Sequence, residues 1–173
     1  MKHYITDEDI NRVSIKNLPY HDENTCKILE FYSKQLLQVA RDENDSNECG
    51  ILLLDSFDLT RSQWFKGIEN KVQLTVNLDD YVKYSKDLHM HRYLFLHNHP
   101  SCSSFSKTDL VSFVDNDGIY FVMALQNNGI ANILIKTSEL PELIKVIKDL
   151  NFKESINLLK AYGVIYLRRY SNV

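Results

Sequence analysis

The sequence predicts an α/β fold built around a mixed β-sheet, on three observations. Short apolar segments, either continuous or alternating with period two, take turns with segments of helical period. Residues 119–125 and 130–136 are apolar runs joined by Asn127-Asn128-Gly129, a hairpin turn, so an antiparallel pair coexists with strands separated by helices. No internal repeat, low-complexity tract or linker interrupts the 173 residues, a length suited to a single domain with a substantial core.

Residues 22–42 read as a helix, because Leu29, Tyr32, Leu36, Val39 and Ala40 recur at helical spacing among Lys, Glu and Gln. Polar residues 41–47 break that pattern. Glu48-Cys49-Gly50-Ile51-Leu52-Leu53-Leu54-Asp55 follows as a nearly all-apolar strand of the kind buried on both faces. Residues 56–71 are polar and irregular and hold the only tryptophan, Trp64. A second strand is expected over 72–78, where Val72, Leu74 and Val76 alternate with polar residues, and Asp79-Asp80 then opens a helix running towards His89. The next strand covers about 92–97. A polar loop leads to a helix from Ser106 to about residue 116, with Leu110, Phe113 and Val114 as its inward face. After the hairpin, Ser138 is expected to cap a helix with the stripe Leu140, Leu143, Ile144, Ile147 and Leu150. A short helix over 153–161 and a last strand over 164–169 complete the chain.

The apolar fraction of 44% and charged fraction of 25% are ordinary for a globular domain, and 20 basic against 23 acidic residues leave a net charge of −3. With no basic stripe, no nucleic-acid partner is expected. Residues 1–9 lack the apolar run of a signal peptide, and the longest apolar run, 119–125, is far short of a membrane span. Cys26, Cys49 and Cys102 have no paired spacing, so a reduced, cytoplasmic setting is expected and no membrane partner. The oligomeric state is left open.

The chemistry concentrates in Leu96-His97-Asn98-His99-Pro100, followed by Ser106 and Asp109. Alternate residues of a strand face the same side, so His97 and His99 project together from a buried run, Tyr93-Leu94-Phe95-Leu96. Two imidazoles and the Asp109 carboxylate would hold a tetrahedral zinc with one position open, as in catalytic sites. Such a zinc makes its water acidic and polarises a carbonyl, and hydrolysis further needs a general base and a donor at the developing oxyanion. Glu48, at the head of a buried apolar strand, is the candidate base, because a buried carboxylate is costly without a partner. Ser106, three residues before Asp109, is the candidate donor at the positive end of its helix.

These residues resemble the JAMM (JAB/MPN) zinc metalloproteases, whose signature is a glutamate on an early strand, then H-x-H-P, then S-x-x-D. Glu48-Cys49-Gly50-Ile51-Leu52, His97-x-His99-Pro100, Ser106 and Asp109 match it in order, and the resemblance spans about residues 22–136, with helices and a strand of 137–173 appended. The loop from Ser101 to Phe105 is one residue shorter than in most members, and the S-x-x-D spacing is intact. The resemblance implies one zinc per chain held by His97, His99 and Asp109, with Glu48 as acid/base and Ser106 at the oxyanion. It implies a JAB/MPN-type mixed sheet flanked by helices, similar to the cytidine deaminases. The implied reaction is hydrolysis of a peptide or isopeptide bond, in many members at the C-terminal tail of a ubiquitin-like protein.

Two other readings compete: a scaffold of the same fold without catalysis, and an accessory protein of DNA metabolism. Retention of all three ligands and Glu48 argues against the first, and the missing basic stripe against the second. A second H-x-H, His89-Met90-His91, has no aspartate in register and reads as a solvated pair. Cys49 is expected to pack as a small hydrophobe, and Trp64 and Phe65 to act as anchors, with a possible substrate contact within 56–71.

Overall fold

The computed structural model describes residues 1–54, 62–69, 71–72, 93–138 and 140–169. Four α-helices lie in this part of the chain, α1 (Asp7–Arg12), α2 (Glu23–Asn44), α3 (Lys107–Asp115) and α4 (Phe152–Ala161), together with a 3-10 helix, Glu142–Asp149. Six strands, β1 (Cys49–Leu54), β2 (Gln63–Lys66), β3 (Tyr93–His99), β4 (Ile119–Gln126), β5 (Ala131–Lys136) and β6 (Val164–Arg169), form one sheet in the order β2-β1-β3-β4-β5-β6. Only β3 and β4 run parallel, joined through α3, and the other neighbours are antiparallel. The architecture is therefore a mixed sheet flanked by helices. No helix among the described residues is long and apolar enough to cross a membrane.

The sheet is covered on both faces, which explains why β3, β4 and β5 are buried at every position and read as continuous apolar runs. One face carries Ile51 and Leu53 of β1, Leu94 and Leu96 of β3, and Phe121, Met123 and Leu125 of β4. These pack under α1, under Leu29, Leu36 and Leu37 of α2, and under Ile5, Val13 and Ile15 of the N-terminal segment. The opposite face carries Leu52, Tyr93, Phe95, Val122 and Leu134, packed under Leu110 and Phe113 of α3, Ile147 of the 3-10 helix, and Ile156 and Leu159 of α4. Each such fully buried Leu or Phe contributes about 1.5–3 kcal/mol.

The expected helix over 22–42 is α2, capped by Asp22, whose carboxylate accepts from Thr25 N at 2.7 Å. The strands expected at 48–55, 92–97, 119–125, 130–136 and 164–169 are β1, β3, β4, β5 and β6, and the helix opened by Ser106 is α3. Two expectations need correction, and one element was not foreseen. Residues 63–66, read as irregular, form β2, an edge strand with only Phe65 buried and Trp64 40% exposed, so its period-two signal is a single residue. The helix expected after Ser138 is a 3-10 helix that starts at Glu142 behind Pro141, with no side-chain cap. Proline disfavours helical backbone at the residue before it, and Pro141 is itself extended, so the helical turns begin only after it. An unforeseen helix, α1, is nucleated by a reciprocal cap: Thr6 Oγ1 accepts from Asp9 N and Asp9 Oδ2 accepts from Thr6 N. The strand expected over 72–78, the helix towards His89 and the His89–His91 pair lie outside the described residues, apart from Val72 itself.

Candidate metal centre

Strand alternation decides which side chains meet. On β3, Leu94 and Leu96 face α2, so Phe95, His97 and His99 face α3. On β1, Cys49, Ile51 and Leu53 face α2, so Glu48 and Gly50 share the side of the histidines. Because β1 and β3 are antiparallel with Gly50 opposite His97, the start of β1 lies beside the end of β3 and Glu48 comes across from His99. Asp109 reaches the same point from the first turn of α3.

The geometry at that point is tight. His97 Nε2 and His99 Nε2 are 2.9 Å apart, Asp109 Oδ1 is 3.4 Å from His97 Nε2, and Asp109 Oδ2 is 3.3 Å from His99 Nε2. Ligands of a tetrahedral zinc at about 2.0–2.1 Å would stand about 3.3 Å from one another. The two nitrogen–oxygen separations match that edge, and the nitrogen–nitrogen separation is a few tenths shorter. Two imidazole lone pairs this close repel unless a proton or a cation lies between them, so the donor set fits a divalent ion. Ligand atoms of Glu48, His97 and His99 also lie within 4.8 Å of one another, close enough to hold a metal.

Each group is fixed by its neighbours. His99 Nδ1 donates to the Ser103 carbonyl at 3.2 Å, so in the neutral ring Nε2 carries the lone pair, and in the protonated ring Nε2 donates to Asp109. His97 is 1% exposed and stacks on Phe95, with ring centroids 5.2 Å apart. Gly50 makes room for that stack, since a Cβ there would lie 3.0 Å from Phe95 Cε2. His97 Nδ1 is buried and finds no hydrogen-bond partner among the described residues. Asp109 Oδ2 accepts from Ser106 N at 2.6 Å while Ser106 Oγ accepts from Asp109 N at 3.2 Å, so one carboxylate closes the capping box of α3 and faces the histidines. Ser106 thus spends an acceptor lone pair on the cap and keeps its hydroxyl proton to donate.

The electrostatics sort the carboxylates. Burial pushes Glu48 upward, opposed by attraction to His97 and His99 and by a hydrogen bond from Val72 N–H, and the net effect is a raised pKa. Burial also works to raise Asp109, but the charge of His97 and the hydrogen bonds from His97, His99 and Ser106 outweigh it and hold that carboxyl far below the usual range. Burial lowers the His99 pKa, while Asp109 and Glu48 raise it, and the net direction is up. One carboxylate is therefore kept as a permanent anion beside the imidazoles, and the other holds a proton more readily. That division suits a ligand and a base respectively.

A cleft of about 440 Å³ opens beside this point, lined by Glu48, His99, Ser106 and Asp109 together with Lys71, Ser101 and Thr108. All five residues selected from the sequence, Glu48, His97, His99, Ser106 and Asp109, thus gather at one place. Phe65 is buried and Trp64 lies on the exposed edge strand. Cys49 is fully buried, with its thiol pushed up by burial. Sequence reasoning passed over Asn98, Asn44 and Asn127, which surround the site with hydrogen bonds. A polar residue inside an apolar strand was the available signal for Asn98. Comparisons with models of protein families, with curated proteins and with solved structures return no match for this chain.

Proposed function

We propose that the chain is a zinc-dependent hydrolase of the JAMM (JAB/MPN) type, carrying one zinc and cleaving a peptide or isopeptide bond at the C-terminal tail of a protein, with ubiquitin-like proteins as the substrate class. The observation that carries this reading is the convergence of His97, His99 and Asp109 at tetrahedral spacing, with Glu48 alongside and a cleft open to solvent. His97, His99 and Asp109 would hold the ion. A zinc bound there would supply Lewis acidity and lower the pKa of water at the site. Glu48, with its raised pKa, accepts the proton of the attacking water on a carboxylate oxygen and delivers it to the leaving amine nitrogen. Ser106 would donate a hydrogen bond from its hydroxyl to the carbonyl oxygen as negative charge develops there, keeping its proton throughout. The capping box fixes that hydroxyl one turn from Asp109.

Metal analysis of the purified chain tests the proposal directly. One zinc per chain is expected, lost in Asp109→Ala and kept in Glu48→Ala, while Glu48→Ala abolishes cleavage of a panel of C-terminally extended ubiquitin-like proteins through kcat. A chain that takes up no divalent ion refutes the proposal.

A further inference from the structure

Glu48 can act as a base only if its backbone is held against the histidine pair, and the residue that holds it lies between the two histidines. Asn98 points to the opposite face of β3 from His97 and His99 and is fully buried. The backbone ladder between β1 and β3 runs as far as Gly50 opposite His97, and beyond it the Asn98 carboxamide takes over. Its Oδ1 accepts from Cys49 N at 2.7 Å, and its Nδ2 donates to Asn47 O at 3.1 Å and to Asn127 Oδ1 at 2.7 Å. The two backbone groups it grips flank Glu48 on either side. A single planar group thus serves as a peptide-like partner for Glu48's segment, while its chain neighbours carry the candidate ligands.

The match between residue type and role is close. Gripping a backbone N–H and a backbone C=O two residues apart needs an acceptor and a donor on separate atoms of one short side chain, which Asn supplies; an ionised Asp lacks the donor, Leu lacks both, and Ser carries both on a single oxygen. The rest of the Glu48 backbone is also held: Glu48 N donates to Ile68 O, and Glu48 O accepts from Gly67 N and from Asn44 Nδ2. Asn98 is the member of this set that ties Glu48 to the histidine strand. Resting on the metal-site reading above, we propose that Asn98 is a positioning residue that sets Glu48 relative to the ion held by His97, His99 and Asp109.

The test uses the full chain with cobalt(II) as the probe ion and reads the visible absorption band of the bound ion. Asn98→Leu removes both hydrogen-bonding functions, and Asn98→Asp keeps the acceptor for Cys49 N–H in the same shape, so the second carries the test if the first does not fold. Both variants are expected to bind one cobalt per chain and to shift the band in the direction seen for Glu48→Gln. Introduced into the Glu48→Gln background, neither shifts it further. Cobalt affinity stays within about tenfold of wild type, because Asn98 bonds to no ligand side chain, whereas disturbing a ligand's own partner costs about 10–100-fold. Leu159→Ala, a core truncation in α4, lowers Tm and leaves the band in place, which separates positioning from loss of stability. A wild-type band in both Asn98 variants, or a further shift in the Glu48→Gln background, overturns the proposal while leaving the metal site standing. Failure of the wild-type chain to bind cobalt overturns both readings together.

Discussion

Ser106 caps α3, and the proposed mechanism gives its hydroxyl a second role in the chemistry, which substitution can separate from the first. As N-cap of α3 its Oγ accepts from Asp109 N at 3.2 Å, while the reciprocal bond from its own backbone N–H to Asp109 Oδ2, at 2.6 Å, does not need the hydroxyl. Ser106→Ala therefore deletes half of the capping box and should cost about 1 kcal/mol. For a chain of this length about 1 kcal/mol corresponds to a fall in Tm of about 2–4 °C. If the hydroxyl also serves the developing oxyanion, the same substitution should lower kcat by about 100–1000-fold with little change in KM. Ser106→Asn restores the cap acceptor without a hydroxyl, and Ser106→Thr restores both. The assay pairs thermal melts with steady-state cleavage of an extended ubiquitin-like substrate, with zinc content measured in each variant. Tm should recover with Asn and Thr, and kcat with Thr and only partly with Asn. The oxyanion role is refuted if Ser106→Ala loses only stability and its kcat stays within about threefold of wild type, far short of the loss of an oxyanion donor.

Two more predictions concern buried carboxylates. The raised pKa of Glu48 means that the folded, metal-free chain holds that proton more tightly than the unfolded chain. Its contribution to stability is therefore full below the ordinary carboxylate range and is lost as pH rises through the raised folded value. In a chelator, Glu48→Gln should flatten that decline and melt above wild type near pH 8, and a lower melting point would count against the assignment. Asp9 is held below its ordinary range: burial raises it, but bonds from His3 and Thr6 outweigh that. Its stabilisation is present above the unfolded carboxylate value and is lost as pH falls through the folded one. Asp9→Asn should cost about 1.5–3 kcal/mol at pH 7 and shrink the acid limb of a Tm-against-pH curve, and an unchanged limb would remove Asp9 as its source.

Much of the sheet was legible because strands buried on both faces advertise themselves as apolar runs, as β1, β3 and β4 do. The turn Asn127-Asn128-Gly129 announced the β4–β5 hairpin, with Gly129 at φ 86°, a backbone angle that glycine adopts without strain. The edge strand β2 stayed hidden because an edge needs to bury one residue only, and α1 because six residues hold too little periodicity. Its signal was the Thr6-x-x-Asp9 cap, the same kind of pattern that marks α3. The His97, His99 and Asp109 grouping was readable since strand alternation and helix capping are local rules. The asparagines around it were not, because a buried side-chain amide replacing a ladder bond depends on what two distant segments leave unpaired. Asn127 reads locally as a turn residue, yet it is fully buried and donates to His3 O at 2.8 Å and Ser46 O at 3.0 Å.

The double employment of Asp109 bears on how the site could be tracked through a lineage. A Ser-x-x-Asp pair that caps a helix has its own reason to persist, so a descendant that had lost its chemistry would keep both residues for stability alone. Their presence in a divergent sequence is weak testimony. Glu48 and His97 are different, since a buried carboxylate with a raised pKa and a buried imidazole whose Nδ1 has no partner among the described residues both burden the fold. In a descendant without the proposed chemistry, drift should erase those two first, so they are the positions at which to look for its loss.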